Sequence, residues 1–227
     1  MTDAELVEET ITFVKETLQH AEGGHDWFHI QRVFNNTMLI AREEKVDILV
    51  VSLGALLHDI ADAKFHDGDE SIGPEMATNF LSSLKVPKKL IKHVVNIINN
   101  ISYKSGLDDG KRKKKRFNSK ELQVVQDADR LDAMGAIGIA RAFNYGGFKN
   151  RTLYDPNIPP NLKMTKEAYK KSTSPTINHF YEKLLLLKDK MNTKTGKKLA
   201  QERHEYMLKY LEQFYKEWNP LSVPVKV

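Results

Sequence analysis

Cysteine is absent from the 227-residue chain. That excludes a disulfide framework, a thiolate metal site and a cysteine nucleophile, and it suits a reducing compartment. Long apolar runs are missing too, since none approaches the roughly 20 residues that span a bilayer. The first residues include Asp3, Glu5, Glu8 and Glu9, where a secretory signal would want basic and then apolar residues. The expected location is cytoplasmic, with no membrane partner. Strong charge imbalance is also lacking: 35 Lys plus Arg against 30 Asp plus Glu leaves +5. This is no nucleic-acid signature by itself, but it fits a protein whose ligand is an anion such as a phosphate ester. With 41% hydrophobic and 29% charged residues, nothing suggests disorder.

Strand-type alternation and internal repeats are absent as well. What is present is helical periodicity, as in Leu6, Ile11, Val14 and Leu18, or Ile30, Val33, Phe34, Thr37 and Ile40. Asp47 precedes the Ile48 run, Pro74, Pro87 and Pro175 suit first turns, and Thr195 is placed to cap the last helix. The pattern predicts an all-α protein of about nine helices in a single domain over 1–227. Two stretches read as non-helical. Ser105 to Ser119 holds Gly106, Asp108-Asp109-Gly110 and the run Lys111 to Arg116, and Asn144 to Thr165 holds Gly146-Gly147, Asp155-Pro156 and Pro159-Pro160. Loops of this length are often functional. The second is a candidate lid, with Lys149 and Arg151 beside a Gly-Gly hinge.

The chemistry concentrates at His58-Asp59, which follows the apolar run Ile48 to Leu57. Adjacent helical residues diverge by about 100°, so both cannot face the core, and a carboxylate at a helix C-terminus opposes the macrodipole. A bound divalent cation accounts for the pair, because imidazole and carboxylate are both metal ligands. Two ligands are too few. Further donors lie in Gly24 to Val33, which contains His25, Asp26 and His29, and in Asp127 to Asp132, where spacing alone leaves Asp127, Asp129 and Asp132 as alternatives.

The order His29, His58-Asp59, Asp129 resembles the metal-dependent HD-domain phosphohydrolases, in which those four positions bind a cation. Longer strings narrow the resemblance: His-Asp-Trp-Phe-His-Ile-Gln-Arg-Val, Leu-Leu-His-Asp-Ile-Ala-Asp-Ala-Lys-Phe and the segment from Val125 through Arg141 are similar to the YedJ/YpgQ-like branch. The resemblance implies an HD-type helical fold and one divalent cation on His29, His58, Asp59 and Asp129. Manganese is preferred, with magnesium, cobalt, nickel or iron as alternatives. It also implies a small phosphorylated substrate, most simply a nucleoside triphosphate split into monophosphate and pyrophosphate. A nucleoside monophosphate phosphatase is the alternative.

Asp62 lies three residues from Asp59 and four from His58, so it is placed as general base on a metal-coordinated water. Arg32, three residues after His29, and Lys64, after the His-Asp helix, are expected to neutralise phosphate. Lys104, Lys149 and Arg151 are further substrate-contact candidates. His25 reads as a helix-start residue, His93 as a packed core histidine, and Arg130 as the partner of a buried aspartate. The run Lys111 to Arg116 could be a nuclear-localisation or nucleic-acid patch, which would suit a non-catalytic HD protein. No aromatic residues interleave it to stack bases, and it reads as a solvated loop. A di-iron oxygenase would need more histidine ligands than can be placed.

Overall fold

A helix apolar on every side belongs inside a protein, and the run Ile48–Leu57 is such a helix. In the computed structural model, which describes residues 1–21, 26–61, 69, 71–101, 117–162 and 172–222, eight of its ten residues are buried. The described residues form nine α-helices and no strand: α1 (Asp3–Thr17), α2 (Trp27–Ala41), α3 (Ile48–Leu57), α4 (Ile72–Ser83), α5 (Lys88–Asn100), α6 (Lys120–Asp132), α7 (Gly135–Phe148), α8 (Thr176–Glu182) and α9 (Lys194–Trp218). Short 3-10 turns at Leu184–Lys190 and Pro220–Ser222 flank α9. The all-α fold class is therefore as expected.

The central helix α3 is a wall between two halves of the core. Leu53, Leu56 and Leu57 pack with Leu6, Val14, Leu81 and Val94 of α1, α4 and α5. Val50, Val51 and Ala55 face the other way, toward Val33, Val125, Leu131 and Phe180. Across this second half α2 lies along α6, and α9 closes over α6 and α7.

Local capping agrees with the chemistry of the cap residues. Asp47 accepts a hydrogen bond from Val50 N at 3.1 Å, and Ser119 accepts one from Leu122 N at 3.1 Å. Pro74 sits in the first turn of α4, whereas Pro87 and Pro175 occupy the cap positions of α5 and α8. The cap of the last helix is Thr193, not Thr195: Thr193 Oγ1 accepts from Gly196 N at 2.9 Å. The reason lies outside the helix. Asp127, fully buried, accepts from Thr193 Oγ1 at 2.8 Å and from the backbone N–H groups of Asn192 and Thr193, which pins this turn to α6.

The stretch expected to be irregular from Asn144 starts later, because α7 continues to Phe148. Gly146 is no hinge. It is buried, and a Cβ there would collide with the Thr176 side chain, so glycine serves close packing of α7 on α8. Beyond it, Thr176 N and Ile177 N donate to Thr152 O and Leu153 O at 2.9 and 3.0 Å, and Tyr154 packs edge-on against Phe214, Tyr215 and Trp218. Residues 149–155 are thus anchored, and 163–165 lie outside the described residues. Most of the other stretch, 105–116, also lies outside them.

One glycine conformation matters for the site. Gly135 has φ +68° and lies against the Arg203 side chain, a left-handed backbone that favours glycine and turns α7 back beside the end of α6.

Asp127→Ala is expected to lower stability by about 3 kcal/mol, because it strands several buried donors of the Asn192–Thr193 turn. Urea unfolding of the metal-free protein checks this. A change under about 0.5 kcal/mol, the range of ordinary surface substitutions, would show that the turn is not held by Asp127.

Candidate metal centre

Two histidines and two aspartates from three separate segments come together where α2, α3 and α6 converge. Asp26 caps α2 by accepting from His29 N at 2.9 Å, which places His29 in the first turn, facing α6. His58 is the residue that ends α3, and Asp59 follows it. The ligand atoms of His29, His58 and Asp59 all lie within 4.8 Å of one another. Asp129, in the last turns of α6, stands beside this trio: its Oδ1 is 3.7 Å from His29 Nε2 and 3.9 Å from His58 Nε2, while Asp59 Oδ2 is 3.9 Å from His29 Nε2. These spacings are too long for hydrogen bonds. They suit donors facing a shared cation, since metal–ligand bonds of about 2.0–2.2 Å allow donors up to about 4.3 Å apart.

Both imidazoles are oriented by their other nitrogen. His58 Nδ1 lies 2.8 Å from Ala55 O; a carbonyl only accepts, so Nδ1 is the donor and Nε2 is turned toward Asp129. His29 Nδ1 lies 2.8 Å from Asp132 Oδ2. Burial pushes His29 below the ordinary histidine value, against the opposing pull of that hydrogen bond. Its Nε2 is the nitrogen turned toward the other donors. Outer partners of this kind are the usual support of metal-binding histidines.

Asp132 itself is nearly inaccessible, its side chain 2% exposed. Burial alone would raise its pKa, but hydrogen bonds from His29 and Arg32 and the charge of Arg141 hold it well below the usual carboxylate range. Arg32 reaches it with Nε at 2.6 Å and a terminal nitrogen at 3.1 Å, and Arg141 at 2.7 Å. Arg32 was expected on a phosphate; its guanidinium grips Asp132, and any phosphate would have to share it with that carboxylate.

The three aspartates of α6 are thereby distinguished. Asp127 holds the turn before α9, Asp132 holds His29, and Asp129 alone faces both imidazoles. The inner donors are closed off and the outer ones open: the His29 and His58 side chains are 2% and 4% exposed, those of Asp59 and Asp129 21% and 34%. A cation held here could be reached from the carboxylate side.

The other expected residues are placed as follows. Asp62, Lys64, Lys104, His25 and the run Lys111 to Arg116 lie outside the described residues. Lys149 and Arg151 are at the far end of α7, where Lys149 Nζ sits 4.8 Å from the Phe148 ring centroid and Arg151 donates to Ser172 O at 2.6 Å. His93 is not a core residue: it is partly exposed and lies 3.1 Å from Ser119 Oγ and 3.5 Å from Glu121, joining α5 to the start of α6. Arg130 does pair with buried Asp127, and it also donates to Lys190 O.

The role of Asp132 was missed, because a carboxylate next to candidate ligands reads as a competing ligand. The signal was its neighbours: Arg32 lies three residues from His29 on one helix face, so whatever orients one is near the other. Arg203 was missed as well. It donates to Leu131 O and to Asn36 Oδ1, clamping α9 across α2 and α6 beside the donors.

Comparisons with known proteins bear on the family of the chain. A model of the HD domain matches residues 27–134, which include all four donors and Asp132. The chain is similar to YpgQ of Bacillus subtilis, 38% identical over 217 residues and 96% of each chain. Among solved structures, an HD-superfamily hydrolase from Bacillus thuringiensis is 44% identical with a TM-score of 0.74, covering 96% of this chain and 99% of that one. The structure of B. subtilis YpgQ in complex with ADP is 34% identical with a TM-score of 0.72, covering 99% and 98%.

His58→Ala or Asp59→Ala is expected to abolish stoichiometric metal binding, while Asp132→Asn keeps every donor and weakens affinity about 10- to 100-fold; titration calorimetry with Mn(II) reads both. Asp132 also predicts an acid dependence. Its folded-state pKa is lowered, so its contribution is complete above the unfolded value of about 3.9 and is lost as pH falls below it. Metal-free wild type should therefore lose more stability than Asp132→Asn between pH 6 and pH 3 in denaturant titrations. Equal losses would show that Asp132 is not held as a buried anion.

Proposed function

The chain belongs to the HD-domain family of hydrolases, and from that premise we propose that it is a divalent-cation-dependent nucleotide phosphohydrolase that splits a nucleoside triphosphate into monophosphate and pyrophosphate. The observation that carries this reading is the asymmetric donor set: two buried imidazoles fixed from behind, two carboxylates partly open to solvent. Such a set suits a cation that must keep a position for water or substrate, rather than a sealed structural ion. The ADP bound by YpgQ supports a nucleotide as the ligand.

His29, His58, Asp59 and Asp129 would hold the cation, manganese by preference among the divalent ions that accept mixed nitrogen and oxygen ligands. When bound, the cation lowers the pKa of water and neutralises phosphoryl charge. The protein's own groups do the rest. Asp62 accepts the proton of the attacking water, which adds to the α-phosphorus as the bond to the bridging oxygen breaks and pyrophosphate leaves. Arg32, Lys64, Lys104, Lys149 and Arg151 are the proposed contacts for substrate, placing positive charge where negative charge develops. Arg141 and Asp132 keep His29 in register. Among the described residues no helix is long and apolar enough to cross a membrane, and a cytoplasmic setting, where nucleoside triphosphates are made and used, fits the reading.

Incubation of the full chain with nucleoside mono-, di- and triphosphates and Mn(II), with phosphate and pyrophosphate assayed separately, tests the proposal. Pyrophosphate and monophosphate in equal amounts are expected, with turnover lost on chelation and restored by metal. Release of phosphate alone from monophosphates would favour the phosphatase alternative, and no turnover of any nucleotide would remove the reading. Asp62→Asn should retain stoichiometric metal and lose turnover about 100-fold or more, because an amide cannot accept the proton; a wild-type rate would reassign the base.

A further inference from the structure

The stretch matched by the HD-domain model ends at residue 134, yet two guanidinium groups from beyond it reach the end of α6. Arg141 of α7 donates to Asp132 at 2.7 Å. Arg203 of α9 donates to Leu131 O with one terminal nitrogen and, with the other, to Asn36 Oδ1 of α2 at 3.0 Å. One side chain thus joins three helices. Asn36 is itself tied to α6, since its Nδ2 donates to Ala128 O at 3.4 Å. It lies seven residues beyond His29 and four beyond Arg32, so the three share one face of α2, and each of them bonds to α6.

What Arg203 holds is specific. The carbonyl of Leu131 belongs to the planar peptide whose nitrogen is that of Asp132, so a donor fixed on this oxygen fixes the plane from which Asp132 branches. Leu131 O is also among the last carbonyls of α6, which have no partner within the helix and favour a nearby cation. Met134 N donates to it at 3.1 Å, and Arg203 supplies the second bond. The fold leaves room for this reach: at Gly135, with φ +68°, a Cβ would lie 3.1 Å from Arg203 Cγ and 3.2 Å from its Cβ. Burial lowers the pKa of the guanidinium, and the negative charge of Asp132 opposes that. A planar fork with donors in fixed geometry can hold Leu131 O and Asn36 at once.

We propose that Arg203 is a positioning residue for the metal centre: by bridging Asn36 and Leu131 O it fixes the end of α6, and through it the Asp132 carboxylate that orients His29. The proposal rests on the reading of the four donors as a cation site and extends that site to α9. Ligating groups must be held to within about half an ångström to bind well, and His29 is held from behind by Asp132 alone among the hydrogen bonds of its ring described above. A loosened α6 end would let Asp132 drift, and His29 with it. The helices after residue 134 are thereby part of the centre rather than an addition to it.

Titration calorimetry of the full chain with Mn(II), paired with urea unfolding of the metal-free protein, tests this. Arg203→Met keeps an apolar stem against Gly135 and removes the bridge, and it should weaken Mn(II) binding about tenfold or more, as loss of an outer partner of a ligand does. Asn36→Ala cuts the same bridge from a half-buried position of α2, where alanine suits the helix. It should weaken Mn(II) binding in the same direction, and it decides the matter if Arg203→Met does not fold. Added to Asp132→Asn, either change should cost little further affinity, because residues that act through one another are not additive. Wild-type Mn(II) affinity in a folded variant of either kind would overturn the positioning role and leave the centre intact, any loss of urea stability then being its whole effect. Additive losses with Asp132→Asn would overturn it too, showing that the two residues act separately. Wild type that binds no Mn(II) would overturn the cation site and this role with it.

Discussion

The buried carboxylate of Asp132 is the interaction on which the centre depends. An isolated anion so far from water would cost several kcal/mol, and Asp132 is tolerable only because His29, Arg32 and Arg141 all donate to it. The arrangement is mutual. Asp132 fixes which nitrogen of His29 carries the proton, it takes up the charge of Arg32, and through Arg141 it draws α7 back against the end of α6. Remove the carboxylate and the imidazole loses its orientation, two guanidinium groups lose their partner, and α7 loses its tether.

Around that hub the fold separates what must be dry from what must be reached. The apolar helix α3 passes through the core and delivers His58 at its end, where the carbonyl of Ala55 orients the ring in the same manner as Asp132 orients His29. Both imidazoles are thereby closed in. Asp59 and Asp129 stand on the open side, so a cation held among the four would be reached from there. Burial and their rear hydrogen bonds hold the histidines in place, and exposure leaves room for water and a phosphate.

Much of this was legible in the sequence, for identifiable reasons. The all-apolar stretch Ile48–Leu57 reads as a buried helix, and a His-Asp pair at its end reads more readily as metal ligands than as a helix terminus, because a carboxylate there opposes the macrodipole. Asp129 was harder, because three aspartates within six residues carry the same chemistry. Their difference lies in partners more than sixty residues away, such as the Asn192–Thr193 turn that claims Asp127. The Gly146-Gly147 pair was read as a hinge because glycine disfavours helix, yet the close approach of Thr176 demands a missing side chain there. Thr195 yielded to Thr193 as cap for a similar reason, since a buried carboxylate from another helix selects the residue. Local pattern reveals periodicity and donor type. Only the folded chain reveals which donors are already taken.

The central claim is that four donors, His29, His58, Asp59 and Asp129, hold one cation while Asp132 stays outside the coordination shell. Anomalous diffraction from crystals of the Mn(II)-loaded protein measures it most directly. The account predicts a single anomalous peak within about 2.0–2.3 Å of the Nε2 atoms of both histidines and of a carboxylate oxygen from each of Asp59 and Asp129. A peak coordinated by Asp132 or Asp127, or one bound without Asp129, would contradict it.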